Sequence, residues 1–198
     1  MDESCDNIGK RLEWSSEVLP LVTNKLKKWF VMRDLKRWNA QCPAYKQLQD
    51  LGITVFTPMI WKLIQIHGKR IRKQVPFMQD MLFVFDSRQV IDPIVERVPT
   101  LQYRFLRGTY REPMTVRNED MERFIKAVGL TENPRYYTPE ELTPAMVGKK
   151  VRVIGGPLDN YEGRLQKMQG SRTKRLFVEL PSLLAVSVEV NPEYIQFV

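Results

Sequence analysis

Between Val147 and Leu165 the chain reads as a short alternating strand, a Gly-Gly-Pro turn, and a second strand entered through another glycine. Val151 and Val153 alternate with charged Lys150 and Arg152, the period of a half-buried strand. Gly155 and Gly156 permit backbone angles closed to other residues, and Pro157 fixes the next one. Gly163 lets the chain bend tightly into the following strand. Leu176–Leu180 and Val186–Val190 continue the alternation and are rich in β-branched residues. The glycines together with Pro157, Pro181 and Pro192 would interrupt any helix attempted across this region. A small all-β module, β at rest, is therefore expected over residues 145–198.

A chain of 198 residues is long enough for one or two domains with their own cores. Its 31 Lys+Arg against 23 Asp+Glu give a net charge of +8, which favours acidic partners, nucleic acid above all. A solvated basic surface would carry the same charge. Two cysteines, Cys5 and Cys42, and one histidine, His67, supply no zinc set. No nucleophile–base pair, phosphate-binding glycine loop or metal cluster argues for an enzyme, and no cofactor is expected. The acidic start Met1-Asp2-Glu3 has no apolar stretch behind it, and no apolar run is long enough to span a bilayer. A cytoplasmic, non-membrane monomer is expected.

Residues 1–28 read as a polar, then basic leader. Trp29–Arg33 is a compact strand candidate. Residues 38–51 approximate helical spacing, with Pro43 near the first turn and Gly52 as the stop. Ile53–Pro58 is a β-branched strand, and residues 60–75 fold about His67-Gly68 as a hairpin. Met81–Phe85 is a continuous apolar strand of the buried kind. Ser87 opens a helix to Val98 that Pro93 should shorten or kink, and Leu101–Leu106 alternates as a strand. Residues 117–128 are a helix whose Met121, Phe124, Ile125 and Val128 line one face. This order predicts an α+β first domain over 29–128, an antiparallel sheet with helices on one face. Proline-rich residues 129–144 read as a linker to the β module at 145–198.

The strand–Gly-Gly-Pro–strand segment resembles the KOW motif, a small β-barrel module. A domain opening on Trp29-Phe30-Val31 and followed by such a module resembles the NusG family of transcription elongation factors. Within it the chain is most similar to the UpxY group of specialised paralogues, relatives of RfaH that act on long polysaccharide operons. Phe56-Thr57-Pro58, Gly68-Lys69-Arg70, Pro76 to Val84 and Glu112 to Val116 carry that finer likeness. Two departures stand out: Gln79-Asp80 replaces a frequent Pro-Gly or Pro-Asn pair, and the threonine-rich loop of RfaH is not visible near Ile91-Asp92-Pro93.

The resemblance implies a first domain that docks on the clamp helices of RNA polymerase through the apolar sheet face opposite its helices. The matching positions are Met78, Met81, Phe83, Tyr103 and Phe105. Unbranched methionines suit a surface that receives a partner helix, whereas Phe83 could equally be core. Independently, the hairpin carries Lys62, Lys69, Arg70, Arg72 and Lys73 without one acid, and could touch upstream or non-template DNA. Lys36, Arg37 and Trp38 form a second candidate, with a ring for stacking a base. The expected function is antitermination on a polysaccharide biosynthesis operon. The alternatives are a general NusG coupling to Rho and the ribosome, or a ribosome-associated RNA-binding protein. The β module would contact the ribosome or another factor. Pro181-Ser182-Leu183-Leu184 lacks the aromatic that general NusG presents there, which favours the specialised paralogue.

Overall fold

The computed structural model describes residues 27–198 except 37–41, 67, 132–133 and 168–173. The chain forms two compact units. The first comprises residues through Met59 together with Val75–Val116, and the second Ile60–Gln74 together with Arg117–Val198.

The first unit is built on β1 (Lys28–Asp34), β2 (Thr54–Phe56), β5 (Leu82–Asp86) and β6 (Leu101–Tyr103). The sheet order is β2-β5-β1-β6, all antiparallel, with β7 (Thr115–Val116) also paired to β1. Strands β1 and β5 read as continuous apolar runs because both of their faces are buried. Register separates the faces. Phe30 lies opposite Val84, and Met32 opposite both Leu82 and Tyr103. These side chains join Ala44 and Leu48 of α1 (Ala44–Asp50) and Ile91 and Ile94 of α2 (Arg88–Arg97) in one core cluster. Both helices thus cover the same face.

Helix α1 starts later than the sequence pattern suggests, directly after Pro43. Pro43 has no side-chain cap to offer. Asp34, buried at the end of β1, supplies it: its carboxylate accepts from Ala44 N at 2.7 Å and Lys36 N at 2.9 Å. An anion at the positive end of a helix is favourable, and this one ties α1 to the strand that precedes it. In α2, Pro93 is accommodated within a ten-residue helix.

The second unit contains the hairpin of β3 (Met59–Ile66) and β4 (Lys69–Pro76), whose first and last residues belong to the first unit. It also holds α3 (Asn118–Gly129) and a six-stranded antiparallel sheet. The sheet strands are β8 (Arg135–Tyr137), β9 (Val147–Val153), β10 (Glu162–Gln166), β11 (Lys174–Leu180), β12 (Leu184–Val190) and β13 (Ile195–Phe197). Their order is β13-β9-β10-β11-β12-β8. The pairing is an open path with β13 and β8 at its edges, and no closed barrel is formed by it. Helix α3, assigned from sequence to the first domain, packs on β11 and β12. Its Met121, Phe124 and Ala127 are fully buried. Strand β8 arises from the segment read as linker: Tyr137 lies opposite Ala185 and Tyr136 opposite Val186.

Two glycines of the opening motif are required by close approach. A Cβ on Gly163 would stand 2.9 Å from Phe177 O, and one on Gly148 2.9 Å from Leu165 O. A polar network then pins four strands together. The Arg175 guanidinium donates to Ser187 Oγ (2.9 Å), Ser187 O (2.8 Å) and Glu189 Oε1 (2.9 Å). Ser187 Oγ donates to Gln166 Oε1 at 2.7 Å, and Gln166 Nε2 to Tyr137 Oη at 3.3 Å. With three partners the nearly buried charge of Arg175 is compensated.

Candidate nucleic-acid and polymerase interface

From Leu51 to Gln79 the chain contains no acidic residue. The hairpin lies within this stretch. Gly68, at φ 78°, turns the chain, and Lys62, Lys69, Arg70, Arg72 and Lys73 are all exposed. Alternation along β4 puts Lys69, Ile71 and Lys73 on one side and Arg70 and Arg72 on the other. The guanidinium of Arg72 sits 4.9 Å from the centroid of the Trp61 ring on the neighbouring strand. The hairpin therefore presents cations on both faces and an aromatic ring on one. The sequence pattern picks out these cations but not Trp61. The signal for that ring is that Trp61 is the one Trp, Tyr or Phe in residues 59–76.

The second basic group is not assembled as a site among the described residues. Lys36 is half-buried and its Nζ donates to Cys42 O at 2.9 Å, so its charge supports the entry to α1. Arg37 and Trp38 lie outside the described residues.

The five positions matched to the polymerase face separate. Met81 and Phe83 have the parity of the face opposite the helices, since Phe83 pairs with Val31, but both are buried at 3% and 0% exposure. Phe83 packs beside Phe56, with ring centroids 6.2 Å apart. Neither side chain is presented to solvent. Met78 is half-buried. Tyr103 corrects the expectation: its register with Met32 puts it on the helix-covered face. Its hydroxyl donates to Asp92 of α2 at 2.7 Å, and burial, then the Asp92 hydrogen bond, raise its pKa. Phe105 is exposed at 47%, in a bridge with Pro113. Gln79-Asp80 forms a turn whose Asp80 carboxylate accepts from Arg104 Nη2 (2.8 Å) and lies 3.4 Å from Arg33. That ion pairing gives the departure from the family turn a structural role.

Residues 27–125, half of the chain, match the NusG family, described as "Transcription termination factor nusG". The chain belongs to the NusG family. No curated protein matches it. Among solved structures, this NusG-family chain is similar to the one titled "Domain interaction in Thermotoga maritima NusG". The identity is 15%, over 87% of this chain and 97% of that one, with a TM-score of 0.42. Among the described residues of this NusG-family chain, no helix is long and apolar enough to cross a membrane. No group of three or more His, Cys, Asp or Glu side chains gathers there to hold a metal ion.

Proposed function

We propose that this NusG-family protein is a specialised antitermination factor. It rides on RNA polymerase, contacts DNA with its basic hairpin, and promotes processive elongation of a polysaccharide biosynthesis operon, as in the UpxY group. It acts by binding and carries out no chemistry. The exposed, acid-free hairpin β3–β4 is the observation that carries the DNA contact. For the polymerase contact, Phe105 and Met78 are the matched positions whose side chains reach the surface. Met81 and Phe83 shape that face from beneath. The turn between β11 and β12 supports a specialised role over a general one. It offers exposed Pro181 and Ser182, the latter at φ 62°, and buries Leu183, so no aromatic side chain is displayed for a Rho- or ribosome-type partner.

The test is the salt dependence of binding to assembled elongation complexes. Replacing Lys69 and Arg70 with Ala should reduce the slope of log K against log salt by roughly 0.9 for each phosphate no longer neutralised. An unchanged slope would mean that the hairpin is merely solvated. Genome occupancy confined to one operon supports the specialised reading, and uniform occupancy of transcribed genes supports a general factor.

A further inference from the structure

Among the described residues the six-stranded sheet ends on β13, whose outer side pairs with no strand. Pairing with β9 on its inner side decides which backbone groups face outward. Ile154 N donates to Tyr194 O at 2.8 Å and Val198 N to Lys150 O at 3.4 Å, while Ile195 lies opposite Val153 and Phe197 opposite Val151. Alternation then turns Tyr194, Gln196 and Val198 toward β9, and the backbone groups of Ile195 and Phe197 away from it. The Ile195 N–H is used locally, donating to Pro192 O. The Ile195 carbonyl and the Phe197 N–H and carbonyl remain at the open edge. We infer that this edge pairs with the same edge of a second copy of the chain, antiparallel about Gln196. Phe197 N–H of each copy then donates to the Ile195 carbonyl of the other. The inference is independent of the proposed contacts with polymerase and DNA.

Three features select a second copy. The strand is unguarded: Ile195 to Val198 carry no charge, whereas edge strands are ordinarily blunted by charge or proline. The opposite edge has both, since Pro134 precedes β8 and exposed Arg135 begins it. The exposed side chains are also self-complementary. Phe197 is 63% exposed, Val198 65% and Tyr194 40%. Pairing about Gln196 sets Phe197 opposite the second copy's Ile195, and Val198 opposite its Tyr194. Both are aromatic–β-branched pairs, a kind that stabilises antiparallel strands, and they fall on opposite faces of the sheet. Finally, a twofold axis at Gln196 uses one patch on both copies, so the assembly closes at two. With no charge on the strand, no like charges meet across the axis.

Sedimentation equilibrium of the full chain, from micromolar to millimolar concentration, tests this. The mass should rise from that of one chain towards that of two and no further. Phe197→Pro removes the outward N–H without touching a bond to β9, and an edge strand tolerates proline at such a position. It should keep the wild-type circular dichroism and weaken association roughly 5- to 150-fold, the equivalent of two backbone hydrogen bonds. Gln196→Glu and Gln196→Lys test the register, because each sets like charges face to face on the axis. Either variant alone should stay monomeric, and an equimolar mixture of the two should dimerise. Arg135→Ala, at the other edge, should leave association unchanged. A wild-type chain that stays monomeric throughout, the state expected from sequence, overturns the inference. So do masses beyond two copies, which mean open-ended association. Undiminished dimerisation of Phe197→Pro, or its loss in Arg135→Ala, puts the contact elsewhere and also overturns it. A mixture of the Gln196 variants that fails to associate overturns the pairing about Gln196.

Discussion

Replacing Gly163 with alanine should destabilise the second unit. The added Cβ would lie 2.6 Å from Tyr161 Cε1, 2.9 Å from Phe177 O and 3.1 Å from Leu176 Cδ1. The oxygen belongs to the backbone of β11 and cannot turn aside. Nor is the Tyr161 ring free to swing, because its hydroxyl donates to Phe177 O at 3.4 Å and accepts from Glu179 N at 3.2 Å. Overpacking of this kind costs about 1–3 kcal/mol. The gain from a stiffer unfolded chain returns about 0.4–1 kcal/mol, leaving a net loss of about 1.3 kcal/mol at the middle of the two ranges. Gly129→Ala is the matched control. It ends α3, has no positive φ and has nothing within 4 Å of its added Cβ, so only the gain of about 0.4–1 kcal/mol remains. Urea unfolding followed by far-UV circular dichroism reads both. With a slope of roughly 2 kcal/mol per M, the Gly163→Ala midpoint should fall by about 0.5–1 M and the Gly129→Ala midpoint should rise. A Gly163→Ala chain unfolding at or above the wild-type midpoint would show that β10 and β11 do not approach as described.

Met81→Glu should unfold or strongly destabilise the first unit, by on the order of 3 kcal/mol or more, because a carboxylate replaces a side chain only 3% exposed. Phe105→Glu, at an exposed position, should keep the wild-type circular dichroism and reduce co-purification of RNA polymerase. Full polymerase recovery with Phe105→Glu would remove Phe105 from the docking face. The Glu162 carboxylate should titrate at about 2, held down by hydrogen bonds from Lys150 and then Arg152. A depressed carboxylate adds stability that is complete above its ordinary value of 4.5 and disappears as the pH falls towards 2. Side-chain carbon shifts followed by NMR check this: Lys150→Ala should move the midpoint up, and a wild-type midpoint near 4.5 would rule out the pairing.

Much of the local structure could be read from pattern. The alternation of Val151 and Val153 with Lys150 and Arg152, and the runs at 176–180 and 186–190, became β9, β11 and β12. The apolar runs at 29–33 and 81–85 became the two central strands of the first sheet. The basic hairpin was legible because its charges are local in sequence and need no tertiary partner to be exposed. Its stacking ring was not, because Trp61 and Arg72 meet only once two strands pair.

Tertiary structure decided what periodicity leaves open, namely which face of an element meets which neighbour. The amphipathic pattern of α3 fixes a helix with an apolar stripe, yet Met121 and Phe124 fit any apolar surface, and they settle on β11 and β12. Met81, Phe83 and Tyr103 have the same apolar character in the sequence. Pairing register alone sends Tyr103 to the helices and Phe83 to the other face. Asp34 looks like any strand-terminal acid until α1 folds back to within 2.7 Å of it. The sequence determines the elements because backbone conformation and burial period are short-range properties. Contacts between residues far apart in the chain decide the surfaces, and with them the residues left to meet a partner.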